Sequence, residues 1–127
     1  MQTSARMKIA SLSLSAILLV ACAGPGPDGR TVWVLNLAPS PCVESQQTAK
    51  SAEATFKKAA DLELTGKLTS TEIVKIRDTI FLLHGQSQQA CDFFNRGRIN
   101  FEQYKGEMQE VRGGMLRIED MVSAKAK

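Results

Sequence analysis

From Phe101 to Val122 the apolar side chains recur at a 3-4-3-4-3-4 spacing: Phe101, Tyr104, Met108, Val111, Met115, Ile118 and Val122. This is a heptad pattern sustained for about three repeats. On an α-helix it forms one narrow stripe, which is stable in water only when covered by other helices. The segment is therefore committed to helix-on-helix packing. Asn100 opens it, and Ile99 and Tyr104 stand at the positions of a hydrophobic staple. Gly106, Gly113 and Gly114 lie opposite the stripe, and each costs about 1 kcal/mol relative to alanine inside a helix. They predict either a kink near Gly113 or the close approach of another backbone. Ala124 to Lys127 is expected to fray.

Two more helical segments precede this one. The first begins near Ser40-Pro41, a good N-cap residue followed by one suited to the first turn. It runs through Ala49, Ala52, Phe56, Ala59, Ala60, Leu62 and Leu64 and stops at Gly66. The second opens on a capping box, Thr69 with Glu72, and a staple, Leu68 with Ile73. Its stripe is Ile73, Ile76, Ile80, Leu83, Ala90 and Phe94, with Ser87 as the weak link; Val74, Phe81, Leu82 and Phe93 widen the face, and Gly97 ends it. Helices are predicted over about 41–65, 70–96 and 101–123. The fold class is all-α, a small three-helix bundle whose first two helices form an antiparallel pair.

Ahead of the helices, Ala23 to Arg30 reads AGPGPDGR, a Gly/Pro-rich tether. Thr31 to Leu37 (TVWVLNL) is a short β-branched apolar run. It either packs as an extended segment along the helices or, through Trp33, meets a lipid surface.

The N-terminus has a basic region, Arg6 and Lys8, followed by an apolar stretch from Ile9 to Val20 broken only by Ser11, Ser13 and Ser15. That order is the order of a secretory signal. About 12 apolar residues make a helix of roughly 18 Å, too short for a bilayer core of about 30 Å. Leu19-Val20-Ala21-Cys22 follows at once and resembles the lipobox of bacterial lipoproteins at every position. The resemblance covers residues 1–22. It implies a signal peptide over 1–21, cleavage before Cys22, a diacylglyceryl thioether on Cys22 and often an acylated amine. Two or three acyl chains give a stable anchor where one is marginal. The resemblance also implies the cell envelope. Ala23 in place of Asp after the lipidated cysteine favours the periplasmic face of the outer membrane, if the host is Gram-negative. The domain plan is then signal peptide 1–21, lipidated cysteine and tether 22–40, and helical domain 41–127.

In an exported protein the remaining cysteines, Cys42 and Cys91, are an even pair, and a disulfide is the default reading; two free thiols are the alternative. The helix layout offers a check. From the turn at Gly66 back to Cys42 is about 36 Å of helix, and from Thr69 forward to Cys91 about 33 Å. An antiparallel hairpin brings both to nearly the same height, as a bridge requires.

Arg6 and Lys8 are two of the 16 Lys and Arg residues, so the chain beyond the signal nearly balances its 13 Asp and Glu. Nothing in that balance points to nucleic acid, whose binders concentrate positive charge on one face. No Gly-rich phosphate loop, HExxH or nucleophile elbow occurs. The single histidine, His84, has Ser87 three residues on, without an orienting acid. Cys42 and Cys91 form no CxxC and have no neighbours to complete a zinc set. No catalytic residue, metal site, cofactor or small-molecule substrate is inferred; the only non-protein group expected is the lipid on Cys22. Glu107, Glu110, Glu119 and Asp120 alternate with Lys105, Arg112 and Arg117 as on a solvated helix face.

The expected function is that of a membrane-anchored, non-enzymatic interaction module. Its possible seam is Phe101, Tyr104, Met108, Val111, Met115 and Ile118, with Leu116 and Met121 beside it. The partner is another envelope protein or a second copy of the chain. A self-associating structural lipoprotein, and an exclusion-type or lysis-type accessory lipoprotein of a mobile element, are the alternatives.

Overall fold

The computed structural model describes residues 24–25, 31–40 and 42–127. The signal segment and Cys22 lie outside the described residues. Ahead of Trp33, β1 (Gly24–Pro25) and β2 (Thr31–Val32) pair antiparallel, Gly24 opposite Val32 and Pro25 opposite Thr31.

Residues 33–127 form the helical domain. It consists of α1 (Val43–Leu64), α2 (Ser70–Asn95) and α3 (Phe101–Ala126), packed pairwise as an all-α three-helix bundle. The core joins Ala52, Phe56, Ala59 and Leu62 of α1 to Ile73, Ile76, Ile80 and Leu83 of α2 and Val111, Met115, Ile118 and Val122 of α3. A smaller cluster of Ala90, Tyr104 and Met108, with Ile99 against it, fills the other end.

The two interhelical turns share one construction. Gly66 and Gly97 have positive φ, 76° and 67°, which glycine adopts without a Cβ penalty. The amide of each bonds back three residues, to Glu63 O and Phe94 O. The next amide reaches back five, Lys67 to Leu62 O and Arg98 to Phe93 O. This is a Schellman ending, which satisfies carbonyls that the helix leaves open. Each turn then starts the following helix with a complete capping box. Thr69 Oγ1 accepts from Glu72 N while Glu72 Oε2 accepts from Thr69 N; Asn100 and Gln103 exchange the same two bonds. Leu68 is buried with Ile73, and Ile99 packs beside Tyr104, so both staples form.

Three expectations need correction. Ser40 is not the N-cap of α1. That position is Cys42, which makes no side-chain cap, and the Ser40 hydroxyl accepts from the Cys42 amide two residues on. The chain end does not fray: α3 continues to Ala126, whose carbonyl takes a bond from Lys67 Nζ, while Lys125 pairs with Glu72 at 3.0 Å. Leu82 (64% exposed) and Phe81 do not widen the buried face of α2, and Phe94, expected on its stripe, is exposed; His84 and Cys91 are buried there instead.

Gly114 resolves the glycine question. The helix runs on unbroken, and a Cβ at Gly114 would lie 2.7 and 2.9 Å from Cδ2 and Cδ1 of Leu83. What enters the gap is thus a side chain of α2, not a backbone. Gly106 and Gly113 face open space.

Candidate functional site

Cys42 and Cys91 are joined, with Cα atoms 6.3 Å apart. Cys91 is buried on α2 and Cys42 half-buried at the mouth of α1. The Asn95 amide nitrogen lies 3.5 Å from Cys91 Sγ. The bridge fastens the first helix pair at the end remote from its turn, where the sequence spacing places it.

One turn further along α2 is a buried polar line that joins α2 to α1 and to residues 33–40. Ser87 Oγ donates to His84 O at 2.7 Å and is 2.8 Å from Ser45 Oγ of α1, which therefore supplies the proton between the two hydroxyls. His84, 4% exposed, is 2.7 Å through Nε2 from the carbonyl of Ala38. A carbonyl only accepts, so Nε2 carries hydrogen, and the buried Nδ1 has no partner among the described residues. Since the Ser87 proton points to the main chain, histidine and serine do not meet as base and nucleophile. In sequence Ser87 is a weak link in an apolar stripe; its pairing with Ser45 across the hairpin emerges only once the helices are in register.

Residues 33–40 form an extended strap along α2. Trp33, Leu35 and Leu37 pack against the core while Val34 and Asn36 face solvent, the two-residue alternation of extended chain. Arg77 sits over the Trp33 ring at 5.6 Å. Gln88 Nε2 donates at 3.2 Å to the carbonyls of Ala38 and Pro39. Of the two placements open for this run, packing on the helices is the one observed for Trp33 to Leu37.

The α3 seam is largely spent inside the molecule. Tyr104, Met108, Val111, Met115 and Ile118 are buried within the bundle; of the six, only Phe101 is exposed, at 60%. Tyr104 stacks on Phe94 with ring centroids 4.8 Å apart, and its hydroxyl donates to Glu44 on α1. Loss of solvent around the phenol, reinforced by the Glu44 carboxylate, pushes its pKa up to about 12. Glu119 accepts from Ser51 Oγ, tying α3 to α1.

Outside that seam the surface carries large apolar side chains. Phe81 and Leu82 lie on α2, Leu116 and Met121 on α3, and Val43, Phe94 and Phe101 around the disulfide end. A groove of about 390 Å³ runs between α2 and α3 over Phe93, Ile99 and Gly106, edged by Gln86, Gln89 and Glu107. Among the described residues, no group of three or more His, Cys, Asp or Glu is placed to hold a metal ion, and no helix is long and apolar enough to cross a membrane. Comparisons with protein-family models, curated proteins and solved structures find no match.

Proposed function

We propose that the protein is an envelope lipoprotein, anchored through acyl chains on Cys22, whose helical domain acts without catalysis by binding another envelope protein. The anchor rests on the lipobox-like Leu19-Val20-Ala21-Cys22. The interaction rests on one observation: Leu82, Leu116, Phe101 and Met121 remain 46–64% exposed in a bundle that has otherwise buried its apolar stripes. Large apolar side chains left in water on a small domain are available to meet other molecules. Phe101 apart, the α3 stripe is turned into the bundle, so the reading draws on the side chains around it.

Two measurements test this reading. Mass spectrometry of the processed chain should show acyl mass on Cys22, and processing should be sensitive to globomycin. Photo-reactive residues at Leu82 and Leu116 in intact cells should crosslink to one discrete foreign protein, with a site at the exposed Lys57 as the control. No product from either apolar site would sink the interaction reading. A product of twice the chain mass would replace the foreign partner with a second copy.

A further inference from the structure

We infer that residues 33–40 are a detachable strap, which peels from α2 while the helices stay folded and whose release stops at Cys42. As a lengthening device for the tether it rests on the lipoprotein reading; as a local unfolding unit it does not.

The strap is held weakly compared with what it covers. Trp33, Leu35 and Leu37 are only half-buried, whereas the core residues beneath them are almost wholly buried. Among the described residues no backbone-to-backbone hydrogen bond joins it to a helix. It is held by side chains reaching its carbonyls: His84 and Gln88 to Ala38, Gln88 to Pro39 and Gln46 to Ser40. The strap interface also contains two buried side-chain nitrogens that have no partner among the described residues, Trp33 Nε1 and His84 Nδ1. A buried polar atom without a partner opposes burial, and peeling returns both to water. Few backbone bonds and imperfect satisfaction mark the segments that open first in native proteins.

The stop is covalent. Cys42 immediately precedes α1 and is bonded to Cys91 of α2. Tension from the N-terminal side can therefore remove the strap but cannot unwind α1. Each released residue adds about 3.3 Å of contour, so freeing residues 33–40 adds about 26 Å of free chain ahead of Cys42. An anchored domain gains reach without losing its fold.

Trp33 is the single tryptophan, so its fluorescence reads the strap alone. On the mature chain in detergent, increasing guanidinium should redden Trp33 emission and open it to acrylamide at a lower concentration than that which removes helical circular dichroism. Gln88→Ala, which removes two bonds to the strap from a side chain outside the core, should lower the strap's closing equilibrium about fivefold and leave the helical transition in place. His84→Ala should move the Trp33 step in the same direction. With the disulfide reduced, part of the helical signal should be lost in the early step. Coincident Trp33 and helical transitions in the oxidised protein, or an unmoved Trp33 step in Gln88→Ala, overturns the inference. Absent acyl mass on Cys22 alongside an early Trp33 step overturns the anchor and leaves the detachable strap standing.

Discussion

At the residue scale, Gly114 and Tyr104 show how local chemistry is set by what arrives from another helix. An alanine at Gly113 meets nothing, so Gly113→Ala should gain up to about 1 kcal/mol of helix propensity. Gly114→Ala gains the same propensity but forces Leu83 to move; overpacking of this kind costs about 1–3 kcal/mol, so a net loss of about 1 kcal/mol is expected. Chemical denaturation of the two variants checks the contrast. Tyr104 gives a pH signature. Its folded-state pKa, about 12, lies above the ordinary 10.0, so its contribution to stability is complete below pH 10 and is lost as pH rises toward 12. Tyr104→Phe should flatten that alkaline loss, seen in midpoints measured across the range. Both residues were visible in the sequence as a glycine off a stripe and an aromatic on one. Their partners, Leu83 and Glu44, were not, because periodicity identifies a helix face without saying which residue of the neighbouring helix meets it. Ser-Pro is a good local start signal, yet α1 begins only after Cys42, and the Ser40 hydroxyl accepts from the Cys42 amide instead of capping the helix.

At the element scale, helix ends were the most legible features, because caps are local in sequence. Thr69 with Glu72 and both staples were readable, as were the stops at Gly66 and Gly97. The second capping box, Asn100 with Gln103, carries the same signal in a less usual pair of residues. Gly66→Ala and Gly97→Ala should each cost about 1 kcal/mol or more through the positive φ alone, since neither site is crowded. The hydrogen bond from the Thr69 amide, followed by interaction with Lys125, holds the Glu72 carboxyl below its ordinary 4.5. This support is present above that value and fades as pH falls below it. The order of the last turn of α3 was not legible, because it depends on Lys67 and Glu72, more than 50 residues away.

At the scale of the whole molecule, the bridge between Cys42 and Cys91 closes a loop with a sequence separation of 49. In the chain-entropy model such a link contributes about 4 kcal/mol. For a domain this small that corresponds to a Tm drop of about 20 °C in the double variant Cys42→Ser, Cys91→Ser. Scanning calorimetry under oxidising conditions checks it, and an unchanged Tm would show the link to be idle. The bundle architecture and this pairing followed from stripe periods and residue counts, which report on the whole fold. The exposure of Leu82 and Leu116 did not, since they are told from core residues only by how the helices rotate about their axes.

The placement of the two thiols also dictates a chronology. Helical hairpins form from near neighbours in micro- to milliseconds, whereas sulfur oxidation takes seconds or longer. Cys42 and Cys91 therefore meet as neighbours already seated by the assembled helices, and the covalent tie records a finished arrangement instead of steering the search for it. Reduced chains should regain their ellipticity before any oxidant is supplied, and oxidation should then proceed to this one product.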